Sequence, residues 1–301
     1  RPVPSHRERA RPSGDTPHPA YILRTLTADN RVMDLAGKTA IVTGGASGIG
    51  AALAVELAAK NVSVVVGDLD ESGAHATAAS IRDAGGAAAG LRADAADIAD
   101  IETLITLAGQ EFSPVDIYVA NAGVIGKPGL GTESDWDVIL DVNLRAHIRA
   151  ARLLVPHWQA LGSGHFVSVA SAAGLLTQLG AAGYAVSKHA AVGFAEWLAI
   201  TYGDDGIGVS CVCPLGVETP LLQTIRGMDD PEVKLGASSI VQSASVISAA
   251  DVASVTVAAI EENRFMVLPH AELLEMYRHK GGDYDRWVSG MRRYQRTLRA
   301  H

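Results

Sequence analysis

Cysteine is nearly absent from this chain of 301 residues, occurring only as Cys211 and Cys213 within Val209-Ser210-Cys211-Val212-Cys213. Two apart on a strand, they project to one face, an arrangement that disfavours a disulfide between them. They read as buried thiols of a cytoplasmic protein. Long apolar runs are missing too: none spans a bilayer and no secretory signal is visible, so no membrane partner is expected. Charged residues make up 19% and the net charge is −8, which argues against nucleic acid or an anionic lipid surface as partner. The ten histidines show neither H-x-x-x-H nor paired Cys/His spacing, so no metal is expected. No serine lies in a G-x-S-x-G elbow, and a Ser-His-Asp hydrolase built around His189 therefore fails.

What the chain has is apolar content, 48% of it, enough for a sizeable core. Its centre is Ala40-Ile41-Val42-Thr43-Gly44-Gly45-Ala46-Ser47-Gly48-Ile49-Gly50, followed by the helical pattern Ala51 to Lys60. Strand, glycine turn and helix open a βαβ unit whose turn offers free backbone N–H groups at a helix N-terminus, a favourable seat for a phosphate. The spacing is Gly44-x-x-x-Gly48-x-Gly50, not G-x-G-x-x-G.

Strands and helices then alternate. Strands are predicted at Val62–Gly67, Ala87–Arg92, Val115–Ala120, Phe166–Ala170, Gly208–Cys213 and Phe265–Leu268. Helical patterns follow Asp70 and cover Ile98–Phe112, Asp135–Leu161, Ala181–Tyr202 and Ala250–Glu261. About seven strands with intervening helices predict an α/β fold: a single doubly wound, Rossmann-type parallel sheet with helices on both faces. Ligands of such sheets lie beyond the carboxyl ends of the strands. Gly44–Gly50, Asp68, Asp94, Asn121–Gly123, Ser171 and Pro214–Thr219 all follow strand ends.

Asp68 stands 18 residues after Gly50, where a carboxylate can accept both ribose hydroxyls of an adenosine. A 2′-phosphate would face that carboxylate with no Lys or Arg in the turn to neutralise it, which predicts NAD rather than NADP. Tyr184-Ala185-Val186-Ser187-Lys188 puts a phenol and an ammonium four apart on one helix face. A positive charge about 5 Å away is worth roughly 3 kcal/mol at an effective dielectric near 20, which would draw a phenol down toward general acid–base work. Ser171 ends the fifth strand 13 residues before Tyr184, where its hydroxyl can steady charge on a substrate oxygen. Ser168 projects to the opposite face.

Thr43-Gly44-x3-Gly48-Ile49-Gly50, Asn121-Ala122-Gly123, Asn143, Ser171 and Tyr184-x3-Lys188 together resemble the short-chain dehydrogenase/reductase family, in its short single-domain branch, over about residues 34–268. The resemblance implies an oxidoreductase that interconverts a secondary alcohol and a ketone. In it Tyr184 is the general acid/base, Ser171 orients the substrate oxygen and Lys188 binds the nicotinamide ribose. Asn143 would hold a relay water, and a local helix irregularity would explain an asparagine there. Cofactor contacts are implied for Gly44, Ser47, Gly48, Ile49 and Gly50, for Asp68, for Asp94 and Ala95 at the adenine, and for Asn121, Ala122 and Gly123. Tyr184 and Lys188 are implied at the ribose, with Pro214, and with Val217 and Thr219 at the carboxamide.

Three features depart from the family: Ala120 before Asn121, Leu215 where glycine usually follows proline, and some thirty residues after Leu268 rich in Arg and Tyr. That tail is predicted to form helices over Ala271–Lys280 and Tyr284–Arg299, either covering the site's mouth or replacing a subunit contact. Residues 1–32 read as a flexible leader without catalytic work, residues 33–268 as the NAD-binding catalytic domain, and 269–301 as the helical tail. The long helices predict a homodimer, with a homotetramer as the other choice. Leu221–Ile247 reads as a mobile lid. Its Leu221, Leu222, Ile225, Met228, Leu235, Ile240 and Val241, with Leu175, Leu176 and Leu179, predict an apolar alcohol or ketone as substrate. The alternatives are a non-catalytic dinucleotide sensor or scaffold on the same fold and, less suited to the glycine spacing, a sugar-nucleotide epimerase.

Overall fold

A computed structural model describes residues 32–300. The expected leader, save for Val32, lies outside the described residues.

From β1 (Thr39–Thr43) the chain passes through the glycine turn into α1 (Gly48–Ala59). Then come β2 (Ser63–Asp68), α2 (Glu71–Asp83), β3 (Ala88–Arg92), α3 (Ile98–Glu111) and β4 (Ile117–Ala120). α4 (Glu133–Leu140), a π-helical turn (Asp141–Arg145) and α5 (Ala146–Leu161) lead to β5 (Gly164–Val169). α6 (Ala182–Tyr202) returns the chain to β6 (Ile207–Val212). β7 (Val217–Glu218) and β8 (Ile247–Ser248) form a small parallel pair that brackets α7 (Pro220–Gly227) and α8 (Pro231–Ser243). α9 (Ala249–Glu261), β9 (Met266–Val267), α10 (Glu272–Gly282) and α11 (Tyr284–Arg299) complete it.

The main sheet has seven strands in the order β3-β2-β1-β4-β5-β6-β9, every neighbouring pair parallel. Alternation along the strands feeds two cores. Ala40 and Val42 pack with Leu53, Leu57, Ala78, Val257 and Ile260 of the helices on one face, while Ile41 packs with Ile101, Leu104, Leu154, Trp158 and Leu198 on the other. Both faces are covered, which is why β1, β5 and β6 are buried along their whole length. The strand order reverses between β1 and β4, and the crevice above that point is where such sheets take ligands.

Two expectations change. The helix read as Asp135–Leu161 is interrupted by the π turn around Asn143, the irregularity that an asparagine at that place implies. The segment read as a mobile lid holds two helices, each opened by a capping side chain and a proline: Thr219 with Pro220, and Asp230 with Pro231.

Candidate active site

Beyond the carboxyl ends of β1, β2, β4, β5 and β6 lies a cavity of about 720 Å³. At one end it meets the glycine turn. Gly44 has φ +64°, and a Cβ there would come within 2.8 Å of the Ala122 Cα, so only glycine lets the turn close on the β4 loop. Asn121 holds that closure: its Nδ2 donates to the Thr43 and Gly44 carbonyls at 2.9 and 3.0 Å. Thr43 Oγ1 accepts from Asn121 N in return at 3.1 Å. Behind them Gly50 packs so tightly that a Cβ would sit 2.1 Å from the Gly44 oxygen.

The first turn of α1 carries no capping side chain and no acidic residue, leaving its N–H groups for an anion. Asp68 ends β2 beside it. Its Oδ2 accepts from Ala46 N at 3.0 Å and its Oδ1 from Asp70 N at 2.9 Å, which fixes the carboxylate while leaving lone pairs free. Asp94 is steadied likewise, accepting from Ala96 N at 2.8 Å.

Further along, Ser171 starts a 3₁₀ turn and accepts from Ala173 N at 3.1 Å. The Tyr184 phenol lies within hydrogen-bonding reach of the Ser171 hydroxyl. The Lys188 Nζ is 5.8 Å from the Tyr184 ring centroid and donates to the Val169 carbonyl at 2.9 Å. Ser168 is spent elsewhere, hydrogen-bonded to His147 Nδ1 at 3.1 Å in the core.

A family model described as short chain dehydrogenase matches residues 38–230. The chain is 32% identical over 265 residues to 1-deoxy-11-beta-hydroxypentalenate dehydrogenase of Streptomyces exfoliatus, covering 85% of this chain and 92% of that one. Cis-4-hydroxycyclohexanecarboxylate dehydrogenase of Sinomonas cyclohexanicum is 34% identical over 235 residues, covering 75% and 94%. A crystal structure of a short chain dehydrogenase/reductase from Burkholderia phymatum in complex with NAD matches with TM-score 0.76 and 30% identity, over 84% of this chain and 96% of that one.

The chain belongs to the short-chain dehydrogenase family.

Of the site residues expected from its sequence, this short-chain dehydrogenase brings Gly44, Ser47, Gly48 and Ile49 to the cavity wall with Asp68, Asp94 and Ala95. Asn121, Ala122 and Gly123 line it from β4, and Ser171, Tyr184 and Lys188 from β5 and α6. Pro214, Val217 and Thr219 line it from the β6 loop. Gly50 and Asn143 are absent from the lining. Gly50 serves the packing of the turn. Asn143 is fully buried one layer back, where Nδ2 donates to the Val124 carbonyl and Oδ1 accepts from Val124 N, both at 2.9 Å. Its Nδ2 also donates to Ser187 Oγ at 3.0 Å.

The expectation that Lys188 lowers the Tyr184 pKa is corrected. Burial pushes the phenol above its ordinary value, and the Ser171 hydrogen bond opposes that only in part. Lys188 is itself pushed down to about 8 by burial, so desolvation works against both charged forms. Leu215 lines the cavity without left-handed backbone, and its N–H donates to His270 Nδ1 at 3.2 Å.

The substrate side differs from its sequence reading in detail. Leu221, Leu222, Ile225 and Ile240 of the expected lid line the cavity, as do Leu176 and Leu179 after Ser171. Leu175 and Leu235 are buried away from it, and Val241 is exposed. The remaining wall is Met276 of α10 with Trp287, Met291 and Tyr294 of α11. On α11 Met291 and Tyr294 follow Trp287 by four and seven residues, on one helix face, and they set the tail against the cavity; covering the site was one of the two places expected for it. Lys280 fixes this wall. Its buried Nζ donates to the Leu175 and Leu176 carbonyls at 2.7 and 2.8 Å and to His189 Nε2 at 3.3 Å. Arg299 adds an ion pair to Glu232 of α8 at 2.6 Å.

Proposed function

We propose that this protein is an NAD-dependent dehydrogenase that interconverts an apolar secondary alcohol and its ketone. One observation carries the reading: a serine hydroxyl, a tyrosine phenol and a lysine ammonium converge on a cavity that also reaches the glycine turn and Asp68.

The residues fit a dinucleotide. The uncapped start of α1 and the bare Gly44 backbone suit a pyrophosphate. Asp68 suits the adenosine ribose, Asp94 and Ala95 the adenine, and Pro214, Val217 and Thr219 the carboxamide. NAD is favoured over NADP because, among the described residues, the one cation that lines the cavity is Lys188, next to Tyr184. Arg92, the register partner of Asp68, stays outside the lining. A 2′-phosphate would meet the carboxylate unpaired, a repulsion of roughly 4 kcal/mol between unit charges 4 Å apart at an effective dielectric near 20. The Burkholderia phymatum structure, solved with NAD, supports the same choice. The relatives whose names carry hydroxylated rings support an alicyclic substrate, as does the apolar roof.

When bound, NAD would supply the acceptor for the carbinol hydride, and its cationic ring would oppose the burial that holds the phenol up. Tyr184 takes the hydroxyl proton, or returns it in the reverse direction. Ser171 donates a hydrogen bond to the same substrate oxygen, held in place by Ala173 N. Lys188, anchored on the Val169 carbonyl, keeps its ammonium on the Tyr184 side of the cavity. Asn143 braces the loop at Val124 from behind.

The test is Tyr184→Phe, read by absorbance of reduced nicotinamide over a panel of cyclic alcohols with NAD and NADP. Turnover is expected to fall about a thousandfold or more, with NAD binding within about twofold of wild type. A variant that turns over normally overturns the assignment.

A further inference from the structure

We propose that Tyr294 is a specificity-determining residue, its hydroxyl hydrogen-bonding a second, uncharged oxygen that the substrate carries away from its reacting carbinol. This deepens the proposed reaction and rests on it.

Tyr294 lines the cavity from α11 beside Met291 and Trp287. Its hydroxyl oxygen is buried and, among the described residues, has no hydrogen-bond partner. A buried hydroxyl left unpaired is destabilising, so such a group on a residue that lines a ligand cavity points to what the ligand brings. Two other polar groups of the roof are already engaged. Gln178 Nε2 donates to the Leu179 carbonyl at 3.1 Å, and the Ser239 hydroxyl donates to the Gly236 carbonyl at 2.7 Å. Thr177 and Gln242 are exposed to solvent. Trp287 Nε1 also has no partner among the described residues, but of the two it is the Tyr294 hydroxyl that is buried.

Its partner is an acceptor without charge. Burial pushes the Tyr294 phenol up, so at neutral pH it remains protonated and donates. No arginine of α11 lines the cavity, and Lys188 is committed to the Val169 carbonyl. A carboxylate would enter an apolar chamber with no cation to meet it, whereas a carbonyl, hydroxyl or ether oxygen needs only the one hydrogen bond. The helix that carries the phenol is docked beside the cavity: Arg299 joins the end of α11 to α8, and Lys280 joins α10 to the loop after Ser171.

The experiment compares wild type with Tyr294→Phe by calorimetric binding of cyclohexanone, 1,4-cyclohexanedione and 4-oxocyclohexanecarboxylate to the NAD-loaded protein, and by thermal unfolding of the free protein. Wild type is expected to bind the dione about tenfold more tightly than the monoketone, with no such gain for the carboxylate. Tyr294→Phe should erase the preference, leave cyclohexanone affinity unchanged and raise the unfolding temperature, because it removes an unpaired buried hydroxyl. Equal wild-type affinity for the two neutral rings, binding of neither, preference for the carboxylate, or a lower unfolding temperature in the variant each overturns the proposal. None of these readings uses turnover. An active Tyr184→Phe enzyme with an intact dione preference would sink the reaction reading alone.

Discussion

The two ends of the cavity are held by different kinds of bond. At the dinucleotide end the parts are strand termini: Thr43, Asp68, Asp94 and Asn121 each bond backbone groups of neighbouring turns. Their partners are set by the parallel sheet itself, so the site is as stiff as the sheet. At the substrate end the wall is carried by side chains that span the chain. Lys280 reaches carbonyls 105 and 104 residues away, Arg299 reaches Glu232, and His270 joins the Leu215 N–H to the Gly216 and Ser245 carbonyls. With Nδ1 accepting, the proton sits on Nε2 and serves those two oxygens. A general cofactor can be gripped by backbone common to the fold, while a particular substrate is met by a wall that a few distant side chains dock in place.

The sharpest way to break this contrast is at Gly50. Alanine there puts a Cβ where the Gly44 oxygen now lies, 2.1 Å away, and also 2.5 Å from the Asn121 Nδ2. The turn has to move, and a displacement near 1 Å at a binding constellation costs about a hundredfold. NAD affinity of Gly50→Ala, measured by fluorescence titration, should fall by about that factor, while hydrogen exchange across α10 and α11 stays as in wild type. Wild-type NAD affinity in this variant would show that the glycine end is less constrained than its packing implies.

Lys280→Met probes the opposite end with a smaller effect. The ammonium has three acceptors and, among the described residues, no carboxylate in an ion pair. Its loss strips two buried carbonyls and an imidazole nitrogen of their donor at once. Amide exchange across α10 and α11 should speed up, and kcat/KM should fall about tenfold, mainly through KM. NAD affinity should hold within about twofold. An equal loss of NAD affinity would mean that the two ends are one mechanical unit.

The same contrast decides what could be read in advance. Asp68, Asn121, Ser171 and the Tyr184/Lys188 pair were legible because strand ends and helix periodicity fix where they go. Asn143 was legible as an irregularity, since a polar residue amid an apolar helix pattern needs a reason, and the π turn supplies one. Leu175 was not, because the 3₁₀ turn after Ser171 swings it into the core at 2% exposure. The two lid helices were signalled by Thr219-Pro220 and Asp230-Pro231, cap-and-proline pairs outweighed by the glycines and aspartates around them. Lys280 had no local signal, and Tyr294 had only that of the tail helix expected over the site or at a subunit contact. A lysine that donates to carbonyls a hundred residues away, and a tyrosine with nothing to bond, are facts of tertiary docking.

Leu215 lies where the two ends meet and should show the smallest effect. Its backbone is not left-handed, so glycine is not required there for conformation. Its N–H, which glycine would keep, is what His270 accepts. Leu215→Gly therefore leaves the clamp in place and removes only side-chain packing against the core, while adding freedom to the unfolded chain. The expected loss is about 1–2 kcal/mol of unfolding free energy, read by urea denaturation, with NAD affinity within about twofold. The vacated volume lies in the cavity itself, so bulkier ketones should gain in kcat/KM relative to cyclohexanone. A tenfold change in NAD affinity would instead mean that the leucine side chain, and not the backbone it sits on, meets the cofactor.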